Sequence, residues 1–282
     1  SGLGGGSASN LYWRPAGGGG GVSTSYVDEV FSTFLYTGNG SYPRTITNNI
    51  DFSNNDGLII HKSRSDGYGW VVYDTVRGSG AKALRIDSQL GENSGDVGPY
   101  GLVDQFNSDG FRLNQPSSTD VLNGSNLKTA SFSFRKAPGF FDVVTWTGNS
   151  DLNQTINHSL SSIPGMIIAK RTDSSSHWVV YHRGHIGYLR LNNSNGAVND
   201  NGAWTPVTST SFKAYDYINV DGASYVAYIF AGGESTAATA KSVDFDGSND
   251  GLSATSNDLI VGTGDFTAEC WFKYEGGNTD RI

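Results

Sequence analysis

Apolar and polar residues in this chain recur with a period of two far more than with a helical period. In Trp70-Val71-Val72-Tyr73, and again in Trp178-Val179-Val180-Tyr181, four β-branched or aromatic residues follow one another, as expected of a strand covered on both faces. The runs KTASFSF ending at Phe134 and SYVAYIF ending at Phe230 read as further strands, each followed by a turn. No window of twelve or more residues carries an i, i+3, i+4, i+7 apolar stripe free of Gly or Pro, so helix is expected to be minor. The fold class predicted is all-β.

The strands are organised by an internal repeat. VFSTFLYTGNGSYPRTI from Val30 parallels FFDVVTWTGNSDLNQTI from Phe140, with an aromatic before Thr-Gly-Asn at Tyr36 and Trp146 and a Thr-Ile pair at Thr45 and Thr155. DGLIIHKSRSDGYGWVVYDTVRG from Asp56 parallels PGMIIAKRTDSSSHWVVYHRG from Pro164. Leu84 and Leu189 correspond next, then Phe111 and Phe212. The resulting division is 1–29 as a Gly-rich N-terminal tether and docking segment, 30–138 as repeat 1, 139–233 as repeat 2, 234–240 as a linker, and 241–282 as the opening strands of a truncated domain. Repeats of this length with short strands and frequent turns predict tandem β-sandwiches, jelly-roll-like. The tether carries one aromatic island, Leu11-Tyr12-Trp13-Arg14-Pro15.

Composition sharpens this picture. Only 16% of the residues are charged and Gly numbers 38 of 282, a profile poor in helix formers and rich in turn formers. The net charge is −8 with no basic run, which argues against nucleic-acid binding and a polybasic membrane patch. The longest apolar stretch, Tyr225 to Ala231, is far short of the ~20 residues a membrane-spanning helix needs, so no membrane insertion is expected. A single cysteine, Cys270, cannot make an intrachain disulfide.

Candidate chemistry is sparse. The frames G-x-S-x-G, G-x-x-x-x-G-K-[ST], H-E-x-x-H and C-x-x-C are all missing, so neither enzyme activity, a metal nor a cofactor is expected. His177, His182 and His185 come nearest to a metal cluster, yet strand geometry puts His177 and His182 on opposite faces, and they read as turn or surface histidines. Asp244 and Asp246 share one face of an expected strand and could hold calcium or serve glycoside hydrolysis; a solvated face entering the Asp246-Gly247-Ser248-Asn249 turn is the simpler reading. Trp70 and Trp178 hold equivalent places and read as core anchors. Trp204, Tyr68, Tyr100, Tyr188 and Tyr215 lie near turns, where an exposed ring could stack on a sugar. Asn153-Gln154-Thr155 matches a glycosylation triplet, as chance alone provides in so Asn- and Ser-rich a chain.

VFSTFLYTGNGS, GLIIHKSRS with YDTVRG, QFNSDGFRLN, FRKAPGFFDVVTWTGN and IPGMIIAKR with WVVYHRG resemble the repeated modules of virion appendage and tail-fibre proteins of marine cyanophages. SVDFDGSNDGLSATS and GDFTAECWFKY resemble the opening of a concanavalin A-like, laminin-G-like jelly roll. The resemblance implies a phage structural protein on the virion surface that contributes to host attachment. Its implied partners are other copies, with a trimer favoured, other virion proteins through the N-terminal segment, and a host cell-surface glycan. Three alternatives stay open: a capsid decoration or head fibre, a polysaccharide depolymerase, and a secreted bacterial adhesin.

Overall fold

The computed structural model describes residues 27–92, 102–117, 120–152, 154–194, 198 and 204–232. The expected tether up to residue 26, the linker at 234–240, and the truncated domain with Asp244, Asp246 and Cys270 lie outside them, as do Tyr100 and Asn153. One helical turn, α1 (Val27–Val30), leads into repeat 1. Its strands are β1 (Phe31–Thr37), β2 (Arg44–Thr47), β3 (Gly57–Ser63), β4 (Val71–Asp74), β5 (Leu84–Arg85), β6 (Leu102–Asn107), β7 (Gly110–Asn114) and β8 (Lys128–Arg135). Repeat 2 contributes β9 (Phe141–Thr147), β10 (Thr155–Asn157), β11 (Pro164–Arg171), β12 (Trp178–His182), β13 (Leu189–Arg190), β14 (Ser211–Lys213) and β15 (Ser224–Ala231).

Both repeats build the same antiparallel scaffold. Repeat 1 has a five-stranded sheet in the order β1-β8-β3-β4-β5 and a smaller sheet β2-β7-β6; repeat 2 has β9-β15-β11-β12-β13 and the pair β10-β14. First strand beside last and second beside the one before last is jelly-roll-like pairing. The all-β expectation therefore holds, and the sheets form β-sandwiches.

The shared Thr-Gly-Asn motif has a structural cause. After β1, a Cβ on Gly38 would sit 2.0 Å from the Gly124 carbonyl oxygen; after β9, one on Gly148 would sit 2.1 Å from that of Val220. Only glycine lets these backbones approach so closely. The next residue then closes an amide pair with the loop before the last strand. Asn123 donates to Asn39 Oδ1 at 3.0 Å, and Asn219 donates to Asn149 Oδ1 at 3.3 Å. Asn123 and Asn219 are both buried, so these bonds satisfy amides that could not reach water.

Alternation along each strand divides side chains between two cores. In repeat 1, Tyr36, Ile59, Val71 and Tyr73 point inward against Ile46, Val103, Phe111 and Leu113 of the small sheet. In repeat 2, Ile167, Val179, Tyr225 and Ile229 meet Ile156 and Phe212. The opposite faces of the two large sheets enclose a third core. There Leu58, Val72 and Leu84 of repeat 1 pack on Phe141, Val143, Trp178, Val226 and Tyr228 of repeat 2. The result is four layers of sheet in one compact unit. β4 is consequently buried at all four positions, and each large apolar side chain taken fully from water contributes roughly 1.5–3 kcal/mol.

Polar groups tie this third core together. Lys170, fully buried, donates to the carbonyls of Gln89 and Ser176 at 3.0 Å and of Arg171 at 2.8 Å. Burial pushes its ammonium down to about 8, and the carbonyl cage leaves none of its three donors unused. Gln89 also accepts from the Ser176 amide at 2.8 Å, and Thr172 accepts from that of Glu92 at 2.7 Å. A loop of repeat 1 is thereby stitched to the sheet of repeat 2.

One equivalence fails. Trp178 is 1% exposed, stacks on Tyr228 and donates its ring N–H to the Arg85 carbonyl at 2.8 Å, as a core anchor should. Trp70 is 37% exposed and meets only the flank of Phe132 in the ring contacts of the described residues. The reading of Trp70 as a core anchor is corrected, because repeat 2 covers a different part of the repeat 1 sheet. Trp178→Phe is expected to lose about 1–2 kcal/mol through the orphaned Arg85 carbonyl, whereas Trp70→Phe stays within about 0.5 kcal/mol. Urea denaturation of both variants checks this contrast.

Candidate functional site

Three of the aromatic residues considered as sugar platforms, Trp204, Tyr188 and Tyr215, come together around one cavity of repeat 2, but its volume of about 10 Å³ has room for a water at most and not for a sugar ring. Trp204 and Tyr188 are each 2% exposed and belong to the repeat 2 core, Trp204 against Tyr181 and Phe212 and Tyr188 against Tyr217. For these two the sugar reading is overturned, since a stacking face must reach solvent. Tyr68 packs on the repeat 1 core, and Tyr215 is half-buried. The histidines serve local geometry: His177 lies 3.2 Å from Asn192 Oδ1, and His182 accepts from the Gly184 amide at 3.2 Å. Among the described residues no group of three or more His, Cys, Asp or Glu side chains comes together.

The structure instead places a polar groove in repeat 1, with a volume of about 580 Å³. Three segments far apart in sequence build it: the turn Phe52–Asp56 before β3, Thr75 and Ser79 after β4, and Asp104–Phe106 on β6. The turn is organised by Asp51, whose carboxylate accepts from the Ser53 amide at 3.0 Å, the Asn54 amide at 3.2 Å and the Asn55 side chain at 3.2 Å. Partial burial opposes its charge, and the bonds from Asn54 and Ser53 outweigh that, holding the carboxyl below the usual carboxylate range. The side chains of Ser53 and Asn54 also donate to that carboxylate, at 2.9 and 3.1 Å, while both residues remain exposed at the surface.

The far wall is set by an ion pair. Arg112 grips Asp104 through two bonds, at 2.9 and 2.8 Å, and Asn114 adds a third at 2.8 Å. Arg112 and then Asn114 hold the Asp104 carboxyl below its ordinary value. A carboxylate so held accepts hydrogen bonds but is a poor proton donor near neutrality. On the opposite wall Asp56 faces Lys136 Nζ at 3.4 Å and Thr75 Oγ1 at 3.4 Å. Phe52 and Phe106 meet edge to face at 6.1 Å at the base, with Phe106 half-buried. The groove thus offers amides, hydroxyls and fixed carboxylates beside an aromatic edge, a donor and acceptor set suited to a neutral polyhydroxylated ligand.

Repeat 2 does not share it. Asp51-Phe52-Ser53-Asn54-Asn55-Asp56 is replaced by Ser159-Leu160-Ser161-Ser162-Ile163-Pro164, and β6 has no strand counterpart among the described residues. Sequence reasoning singled out none of the groove residues. The usable signal was this divergence, since a segment that departs from its sister inside a kept scaffold is free to do something else.

No curated protein and no solved structure matches the chain. A family model does match, over residues 27–252. That span opens at the first residue of α1 and takes in both repeats with their shared core. By this match the chain belongs to the family described as a domain of unknown function, DUF7483.

Proposed function

We propose that the protein is a structural subunit of a phage particle, a tail-fibre or appendage component that projects from the virion and contributes to host-surface attachment. The observation that carries the attachment role is the outward-opening polar groove of repeat 1, set on a four-layer block of sheets. Placement on a virion rests on the repeated phrases quoted above. The ionic groups of the groove favour holding a ligand over converting it. Asp104 is neutralised by Arg112, and Asp56 lies 3.4 Å from Lys136, whose closer partner is the buried Asp142 at 3.0 Å. A host glycan is the ligand class that suits these walls, with weak single contacts multiplied across copies.

Two measurements test the reading. The chain should be present in purified particles and be labelled by antibody on the tail or an appendage; absence from particles overturns the virion assignment. In glycan screening, binding should weaken about tenfold or more, ~1.4 kcal/mol, in Asn54→Ala and Gln105→Ala, two exposed side chains whose loss leaves the core untouched. Unchanged binding in both variants removes the groove from attachment. Release of reducing ends from host polysaccharide would move the assignment to a depolymerase.

A further inference from the structure

The two repeats share a scaffold, yet they meet through surfaces that are equivalent only in part: Ile60 and Phe134 and their counterparts Ile168 and Phe230 all line the shared core, while the rest of the two faces differs. Repeat 1 enters the shared core through one part of its large sheet, with Leu58, Val72 and Leu84, while repeat 2 uses another part, with Phe141, Val143, Trp178, Val226 and Tyr228. Matched pairing makes the difference explicit. Val72 opposite Leu84 corresponds to Val180 opposite Leu189, and Ile60 opposite Phe132 corresponds to Ile168 opposite Tyr228. Outside these shared positions the interface is head-to-tail, and each repeat keeps part of its outer face unused.

Those unused parts are apolar and exposed. On repeat 1, Leu35 is 54% and Trp70 is 37% exposed beside the partly exposed Phe132. This patch continues the covered face, with Ile60 at its border with the shared core. On repeat 2, Leu191 is 45% exposed, and Met166 and Leu189 are partly so. We propose that a second copy of this chain docks there, the repeat 2 patch of one copy covering the repeat 1 patch of the next.

Three details fit that occupant. Trp70 occupies the position at which Trp178 anchors the internal interface, and its ring N–H meets no acceptor among the described residues, while Trp178 finds the Arg85 carbonyl. Lys62, aligned with Lys170, donates to the Tyr68 carbonyl as Lys170 does to that of Ser176, but lacks the carbonyl that Gln89 supplies from a sister repeat. The buried polar pair of the internal interface, Asp74 with Tyr228, becomes His182 and Phe132 at the free ends. Hydroxyl and carboxylate have gone together, so neither face would bury an unmatched partner of that pair. Such a contact is heterologous, and it closes into a ring or continues as a filament. The proposal goes beyond the appendage reading and does not depend on it.

Sedimentation velocity on the full chain and on two charged variants, Trp70→Asp and Leu191→Asp, tests it. Both side chains are exposed, and far-UV circular dichroism with a thermal melt verifies that each variant is folded; Leu35→Asp replaces Trp70→Asp if it is not. The unmodified chain is expected to rise above its 30.0 kDa monomer mass as concentration increases, and each variant alone to remain monomeric. An equimolar mixture should yield a dimer of twice that mass and nothing larger, because each variant retains the end that the other has lost. A monomeric unmodified chain throughout the micromolar range, or a mixture that stays monomeric, overturns the proposal. Dimers of Leu191→Asp alone would also overturn it, since they would indicate a symmetric contact through Trp70.

Discussion

Arg77→Ala is expected to lower the unfolding free energy by about 3–5 kcal/mol, the cost of stranding a buried charge. Asp74, with no exposed surface, is the group left behind. In the native chain its carboxylate accepts from Arg77 Nε at 2.6 Å, from the Arg77 amide at 2.8 Å and from the Tyr228 hydroxyl at 2.7 Å. Arg77 in turn reaches the Lys82 carbonyl at 2.5 Å and Glu92 at 3.1 Å. Burial and the Asp74 carboxylate together push the Tyr228 phenol well above its ordinary value, so it stays a donor. Because Tyr228 belongs to repeat 2, the network also pins one sandwich to the other. Tyr228→Phe removes one donor and is expected to cost less, about 1–3 kcal/mol. Urea titrations read both, and a loss below about 1 kcal/mol for Arg77→Ala would mean that Asp74 finds water or another partner once the guanidinium is gone.

The second large effect is acid sensitivity from His61. This side chain is 1% exposed in the repeat 1 core, edge-on to Phe111 at 5.2 Å, and neither ring nitrogen has a hydrogen-bond partner among the described residues. Burial pushes the imidazole down to about 3, against about 6.5 in an unfolded chain. Between those values the unfolded state binds a proton that the native state refuses, so stability falls as pH drops. The slope approaches about 1.4 kcal/mol per pH unit below about 6.5, and the loss nears 5 kcal/mol towards pH 3. His158 is lowered for the same reason, burial, and adds in the same direction. His61→Leu should flatten most of this slope in denaturation curves taken at successive pH values. An unchanged slope would assign the acid loss to the carboxylates. Repeat 2 carries Ala169 at the matching position, so its acid sensitivity comes instead from His158, which stacks on Phe212 at the edge of that core.

Much of the scaffold was legible because its causes are local. β-branched and aromatic runs mark strands whatever they pack against, and the repeated Thr-Gly-Asn followed from a backbone approach that any copy of the scaffold must make. Trp70 and Trp178 show where local information ends. Each precedes Val-Val-Tyr, but one is exposed and the other is buried on Tyr228, because burial depends on which part of a sheet another sheet covers. The groove was hidden for a related reason. Asn54, Thr75 and Asp104 are each ordinary turn or strand residues, and only the closing of the sandwich brings them around one space. By itself the amino-acid sequence determined the strand content, the two-fold repetition and the shared hydrogen-bonding corners. The tertiary structure alone decided the third core, the unequal faces of the repeats and the groove, since each depends on contacts between segments that local patterning does not specify.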